Sequence, residues 1–120
     1  MNKKTLVLGA STNPNRYSYL AVNKLLANGH SVLAVGNKTG TIQTVPIHKE
    51  MVADTDIDTV TLYLNPNNQR PYYDTILALN PQRIVFNPGT ENPELETLAQ
   101  QKGIETIEAC TLVMLSTNQY

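Results

Sequence analysis

The sequence has one cysteine, Cys110, no tryptophan and one phenylalanine in 120 residues. A single thiol excludes an intramolecular disulfide framework, so a packed core must hold the fold. Charge is sparse: 9 Lys plus Arg face 10 Asp plus Glu, for a formal net charge of -1. That excludes the basic field of a dedicated DNA or RNA binder and the acidic run of a disordered activator. Long apolar runs are also missing. Lys3 and Lys4 precede an apolar stretch, but Pro14 and Asn15 stop it short of a signal peptide or membrane span. No repeat, heptad or low-complexity tract is present. These absences point to one domain over residues 1–120 in a reducing cytoplasm, with neither nucleic acid nor membrane as partner.

What is present is an alternation of short apolar runs and helical stripes. Thr5 to Leu8 reads as a strand covered on both faces. A helix follows from about Ser18 to Ala27, ended by Asn28-Gly29. Ser31 to Val35 is the second strand, and the spacing fits a right-handed βαβ unit. Gly36 to His48 is irregular, with an extra short strand around Val45 to Ile47. A short helix is expected over Lys49 to Ala53. Ile57 to Leu64 alternates Thr59, Thr61 and Tyr63 with apolar residues, which predicts a third main strand with one face less buried. After the Asn65-Pro66-Asn67-Asn68 loop, a helix is expected over Gln69 to Leu79 with Pro71 in its first turn.

Arg83 to Phe86 is the fourth main strand, and Asn87-Pro88-Gly89-Thr90 is the turn after it. Pro93 to Lys102 is helical, with Thr90 or Asn92 as cap and Gly103 beyond the end. Ile104 to Ile107 is the fifth main strand. Cys110 to Leu115 starts a last helix before a polar tail, Ser116 to Tyr120. The pattern predicts a three-layer, Rossmann-like α/β fold: a doubly wound, five-stranded parallel sheet of order 3-2-1-4-5.

Ligands of such sheets bind beyond the C-terminal strand ends. There, Gly9, Ala10, Ser11, Thr12 and Asn13 offer peptide N–H groups and hydroxyls, and Arg16 adds a cation. A diphosphate suits that set. Neither a complete G-x-G-x-x-G nor a P-loop is present, and a plain capped βα turn is the competing account. After the second strand, Gly36-Asn37-Lys38 puts a base where NAD enzymes place an acid. Lys38 suits a further ribose phosphate, which favours NADP or coenzyme A; a solvated surface lysine is the alternative. Asn65, Asn68 and Arg70 border the same edge or simply build a polar turn. Tyr63, Tyr72 and Tyr73 read as packing residues.

Catalytic sets are scarce. His30 and His48 lack ligand-spaced partners for zinc. Asp54, Asp56 and Asp58 sit at the wrong strand end, and Cys110 reads as a buried free thiol. No catalytic residue and no metal site is assigned, and an enzyme is not the favoured reading.

The ordered fragments resemble a known family. They are Val7-Leu8-Gly9-Ala10-Ser11, then Arg16 and Ser18, then Leu25-Leu26-Ala27-Asn28-Gly29-His30-Ser31-Val32. The Gly89 loop, Gly103-Ile104-Glu105 and Cys110 follow. The chain resembles the small stand-alone coenzyme A-binding domain proteins, which look like the N-terminal nucleotide domain of the succinyl-CoA synthetase alpha subunit. The resemblance spans about Lys4 to Leu115. It implies non-catalytic binding of coenzyme A or an acyl-CoA. The diphosphate would lie at Gly9, Ala10, Ser11, Arg16 and Ser18, and the ribose phosphate near Gly36, Asn37 and Lys38. Asn65 to Asn68 would lie alongside, with Asn87 and Gly89 on the same edge. Three positions depart from the family pattern: Val35-Gly36-Asn37 stands for Val-Asn-Pro, Asn87-Pro88-Gly89 falls in the Trp-x-Gln-x-Gly region, and Glu108-Ala109-Cys110 stands for Asp-Arg-Cys. Two alternatives remain: an NADP-dependent oxidoreductase or its vestige, and a structural or interaction protein with a degenerate nucleotide pocket. A homodimer through the apolar C-terminal segment is compatible with each.

Overall fold

Four-residue apolar strands leave too little surface to stand alone, so they stack into one sheet with helices on both faces. A computed structural model describes residues 2–51 and 56–120. Its strands are β1 (Thr5–Leu8), β2 (Val32–Val35), β3 (Gly40–Ile42), β4 (Val45–His48), β5 (Thr59–Leu62), β6 (Arg83–Phe86) and β7 (Glu105–Glu108). The helices are α1 (Tyr17–Ala27), α2 (Pro66–Gln69), α3 (Tyr73–Leu79), α4 (Pro93–Gln101) and α5 (Thr111–Ser116).

The architecture is the expected doubly wound α/β one, but the sheet is larger and its order differs. Seven strands run β3-β4-β2-β1-β5-β6-β7. All neighbouring pairs are parallel except β3 with β4. The strand expected third, Thr59–Leu62, does not flank β2; it pairs with β1 in the register Thr5↔Thr59 to Leu8↔Leu62. The place beside β2 belongs to β4, so 3-2-1 holds on that side only with Val45–His48 counted as the third strand. The reason is a tight reversal. Gln43-Thr44 turns β3 back on β4 with Gln43 at φ 53°, and Val45 and Ile47 point inward while Pro46 faces out. With that edge of β2 taken, β5 pairs along the open side of β1.

Side-chain alternation assigns the two faces. Leu6, Leu8, Val60, Leu62, Ile84 and Phe86 pack against Ile76 of α3 and Leu95 and Ala99 of α4. Val7, Ala34, Val45 and Ile47 pack against Val22 and Leu25 of α1 and Leu115 of α5. Fully burying one such side chain stabilises by about 1.5–3 kcal/mol, so the two clusters dominate the energetics.

The expected half-exposed face of β5 is not found: Thr59 and Thr61 are both 0 % exposed. Their hydroxyls are satisfied internally. Arg83 Nε donates to Thr59 Oγ1 at 2.8 Å, and Asn87 Nδ2 donates to Thr61 Oγ1 at 2.7 Å. The sheet under α5 and the tail is therefore polar yet dry.

The helix expected over residues 69–79 is broken into α2, a 3₁₀ turn Arg70–Tyr72, and α3. Pro71 in that turn has no N–H to give and its ring crowds the preceding backbone. Asn80 closes α3 in the left-handed region at φ 49°. Asn92 caps α4 by accepting from Leu95 N–H at 3.2 Å. The short helix expected over Lys49 to Ala53 lies partly outside the described residues; within them Lys49, Glu50 and Met51 are not helical.

Candidate functional site

The C-terminal ends of β1, β2 and β5 meet at one corner, and its geometry starts with two glycines. Gly36 follows β2 and is buried; a Cβ there would sit 2.1 Å from the carbonyl oxygen of Ala10. Gly9 follows β1 at φ 98°, with Tyr63 and Leu64 at 3.0–3.1 Å from the position a Cβ would take. Two loops and the β5 extension therefore touch backbone to backbone, which only glycine permits.

Two of the expected peptide donors are not free. Gly9 N–H and Ala10 N–H both donate to Val35 O, at 2.8 and 2.9 Å. They continue the β1–β2 ladder by one bifurcated step, so these two N–H groups are engaged in holding the corner together. The available donors lie further along. Ser11 is half-buried and Thr12 exposed. Ser11 Oγ accepts from Asn13 N–H at 3.1 Å, and Asn13 Oδ1 accepts from Asn15 N–H at 3.0 Å. These side-chain turns shape the loop up to Arg16, whose own N–H donates to Asn13 O at 3.0 Å.

Arg16 is the N-cap of α1 in extended conformation, and its side chain caps nothing. No acidic residue stands in the first turn either. The leading N–H groups of this 11-residue helix thus have no side-chain cap, and the N-cap residue is itself a cation. Tyr17 is exposed there, whereas Ser18 is buried at 3 % exposure.

A shallow cleft of about 210 Å³ continues from this corner, lined by Asn37, Leu64, Asn68, Pro71 and Tyr72. It joins the loop after β2 to the segment after β5. Asn37 and Lys38 are exposed beside it. The Asn65 side chain is engaged, capping α2 by accepting from Asn68 N–H at 2.9 Å. The sequence reads Tyr72 as a packing residue and gives Leu64 and Pro71 no site role; nothing in a loop and a helix start marks the latter two as cleft walls before the chain folds.

In the loop after β6 the Asn87 side chain is engaged within the protein. Asn87 is buried at 2 % exposure. Its Nδ2 donates to Thr61 Oγ1 and to Leu62 O at 2.7 and 2.8 Å, and its Oδ1 accepts from Thr111 N–H at 2.9 Å. Every polar atom of that amide has a protein partner, so Asn87 ties β5, β6 and α5 together. Gly89 is exposed at φ 91°, and its N–H donates to Glu91 Oε1 at 2.9 Å. Thr61 and Thr111 share a hydroxyl hydrogen bond of 2.8 Å. Tyr63 Oη lies against that pair without completing a hydrogen bond. Burial pushes its phenol up to about 12. Cys110, at the start of α5, is half-buried with a free thiol.

The corner presents a helix start without a side-chain cap and two exposed cations, Arg16 and Lys38. Among the described residues no group of three or more His, Cys, Asp or Glu side chains is placed to hold a metal ion. Among the same residues no helix is long and apolar enough to cross a membrane.

Solved structures repeat this architecture. The crystal structure of an uncharacterized protein is 48 % identical, with a TM-score of 0.97, over 100 % of this chain and 99 % of that one. A hypothetical protein from Pyrococcus horikoshii OT3 is 22 % identical with a TM-score of 0.86, over 96 % of this chain and 82 % of that one. A dinucleotide-forming acetyl-coenzyme A synthetase 1 from Ca. Korarchaeum cryptofilum, solved with phosphate and ADP, shares the fold at 17 % identity and a TM-score of 0.69. The likeness covers 90 % of this chain and 26 % of the synthetase. No curated protein matches the sequence. Residues 3–116 match the family model described as a CoA binding domain, and with nearly its whole length so covered the chain belongs to that family.

Proposed function

We propose that this domain binds coenzyme A or an acyl-CoA without transforming it. The observation that carries the reading is the open N-terminus of α1 at the C-terminal edge of the sheet, uncapped and flanked by Arg16. An anion there meets several N–H donors, the positive end of the helix and a guanidinium. In this reading Ser11, Thr12 and Arg16 hold the diphosphate, and Ser18 steadies the first turn from its buried position. Lys38 takes the ribose phosphate. Asn37, Asn65 and Asn68 border the path toward the cleft. Gly9, Ala10 and Gly36 shape the corner from beneath rather than contact the ligand, while Asn87 and Gly89 support the neighbouring loop. Residues 1–120 act as one domain, and no metal takes part.

Calorimetric titration with coenzyme A, dephospho-CoA, NAD and NADP tests the reading. Coenzyme A is expected to bind best, and dephospho-CoA more weakly. Lys38→Ala is expected to lose about fivefold for coenzyme A and almost nothing for dephospho-CoA, since one exposed charge pair is worth about 1 kcal/mol. Silence from all four ligands overturns it. A second reading, a structural protein with a degenerate pocket, is favoured by the occupied Gly9 and Ala10 donors and the fully engaged Asn87. The same titration separates the two.

A further inference from the structure

The opposite edge of the sheet holds a cluster that the ligand corner does not use. The tail after α5 crosses there and seats Tyr120. Its hydroxyl meets Thr5 Oγ1, and its backbone oxygen accepts from Lys3 Nζ and, at 3.4 Å, from Arg83 Nη2. Thr5 already donates its own hydroxyl proton to Lys3 O at 2.9 Å, so Tyr120 must be the donor to Thr5. The Arg83 guanidinium lies 4.3 Å from the centre of the Tyr120 ring, and Lys3 Nζ lies 5.7 Å from it. His30 packs on the same ring with centroids 5.0 Å apart at 58°. Arg83 is itself buried, at 8 % exposure.

His30 has its protonation state written into the backbone. Lys3 N–H donates to His30 Nδ1 at 2.9 Å, so Nδ1 is bare and the imidazole neutral in this arrangement. The charged groups facing it are the N-terminal ammonium, Lys3 ahead of β1, Arg83 on β6 and Asp58 ahead of β5. Burial, then the N-terminal ammonium, Lys3 and Arg83, lower its pKa from 6.5, and Asp58 opposes them. A ring face attracts cations. Here Arg83 already covers the Tyr120 ring, so an imidazolium adds repulsion from two neighbouring cations.

We propose that Tyr120 is a proton-released latch: a proton taken up on Nδ1 of His30 breaks the Lys3–His30 hydrogen bond, crowds a third cation into the seat, and frees the Tyr120 ring. The sign follows from linkage. The latched state holds fewer protons, so latching is complete above the free-histidine range and weakens as pH falls below it. Each unit by which the His30 midpoint lies below that of the unlatched protein is about a tenfold change in the latch equilibrium.

Nuclear magnetic resonance titration of the full chain from pH 8 to 5 tests this. The His30 ring, the Lys3 amide and the Tyr120 ring are expected to share one midpoint below 6.5, with loss of the Tyr120–Thr5 proximity signal. In Tyr120→Ala the His30 midpoint is expected to rise toward 6.5. In His30→Asn, whose side-chain oxygen can still accept from Lys3 N–H, Tyr120 is expected to stay seated throughout. A Tyr120 ring that stays on Thr5 while His30 protonates overturns the proposal. So does a His30 midpoint that is unchanged or falls in Tyr120→Ala. Tyr120→Leu, which removes the ring but keeps an apolar side chain, supplies the same comparison should the alanine variant fold poorly.

Discussion

Replacing Gly36 by alanine tests the ligand corner most directly. The new methyl carbon would lie 2.1 Å from Ala10 O, 3.1 Å from Ala10 C and 3.3 Å from Ile47 Cγ2. A carbon and an oxygen pack no closer than about 3.2 Å, so something must move by about 1 Å in a densely packed interior. The backbone of Gly36 is not in the left-handed region, so the cost is steric and not conformational. Overpacking of this kind costs about 1–3 kcal/mol. For 120 residues an unfolding entropy of about 2.1 cal/mol/K per residue converts each kcal/mol to about 4 °C. A fall in Tm of about 4–12 °C is therefore expected by calorimetry. Because Ala10 leads into the loop proposed to hold the diphosphate, coenzyme A affinity is expected to drop with it. Gly29→Ala is the control. Gly29 has φ 82° with no atom within 4 Å of its added Cβ, so it pays only backbone strain of about 1–2 kcal/mol and leaves binding untouched. A Gly36→Ala protein as stable as the parent, with unchanged affinity, would refute the close approach of the two loops.

Asn87→Ala should cost about 3 kcal/mol, because three hydrogen bonds are lost and buried partners are left unpaired. A melting curve close to the parent's, with only ligand affinity reduced, would return Asn87 to a binding role. Tyr63→Phe should leave stability unchanged or raise it by up to about 1 kcal/mol, since the removed hydroxyl is buried and unpartnered; a marked fall in Tm would reveal a missing partner. In the parent, burial holds the Tyr63 phenol protonated up to about 12. The unfolded chain releases that proton near 10, so this contribution to stability is complete below pH 10 and is lost as pH rises toward 12. Tyrosinate absorbance should show a late-ionising tyrosine that disappears in Tyr63→Phe.

Much of the fold was legible because its signals are local. Arg83 to Phe86 and Thr5 to Leu8 are four-residue runs that read as strands, and the structure keeps both ranges. Asn92 and Gly103 mark the two ends of α4 by chemistry that acts within one turn. The candidate site was less legible. Thr59 and Thr61 look like a solvent-facing alternation until Arg83, Asn87 and Thr111 arrive from distant parts of the chain to satisfy them. Asn87 looks like a ligand residue for the same reason: its three partners are at least 24 residues away. Tyr120 closes what reads as a plain polar tail, and its seat assembles only when β1, α1 and β6 come together.

The sequence by itself determined the alternation of elements, the caps and the placing of small residues and cations after the first two strands, because periodicity and turn chemistry act over a few residues. Tertiary structure alone decided which strand lies beside which, since β4 outcompetes β5 for the edge of β2 through a reversal at Gln43-Thr44. It also decided which polar groups face outward. Gly9 and Ala10 lose their donors to Val35, an outcome that depends on where another loop settles in space.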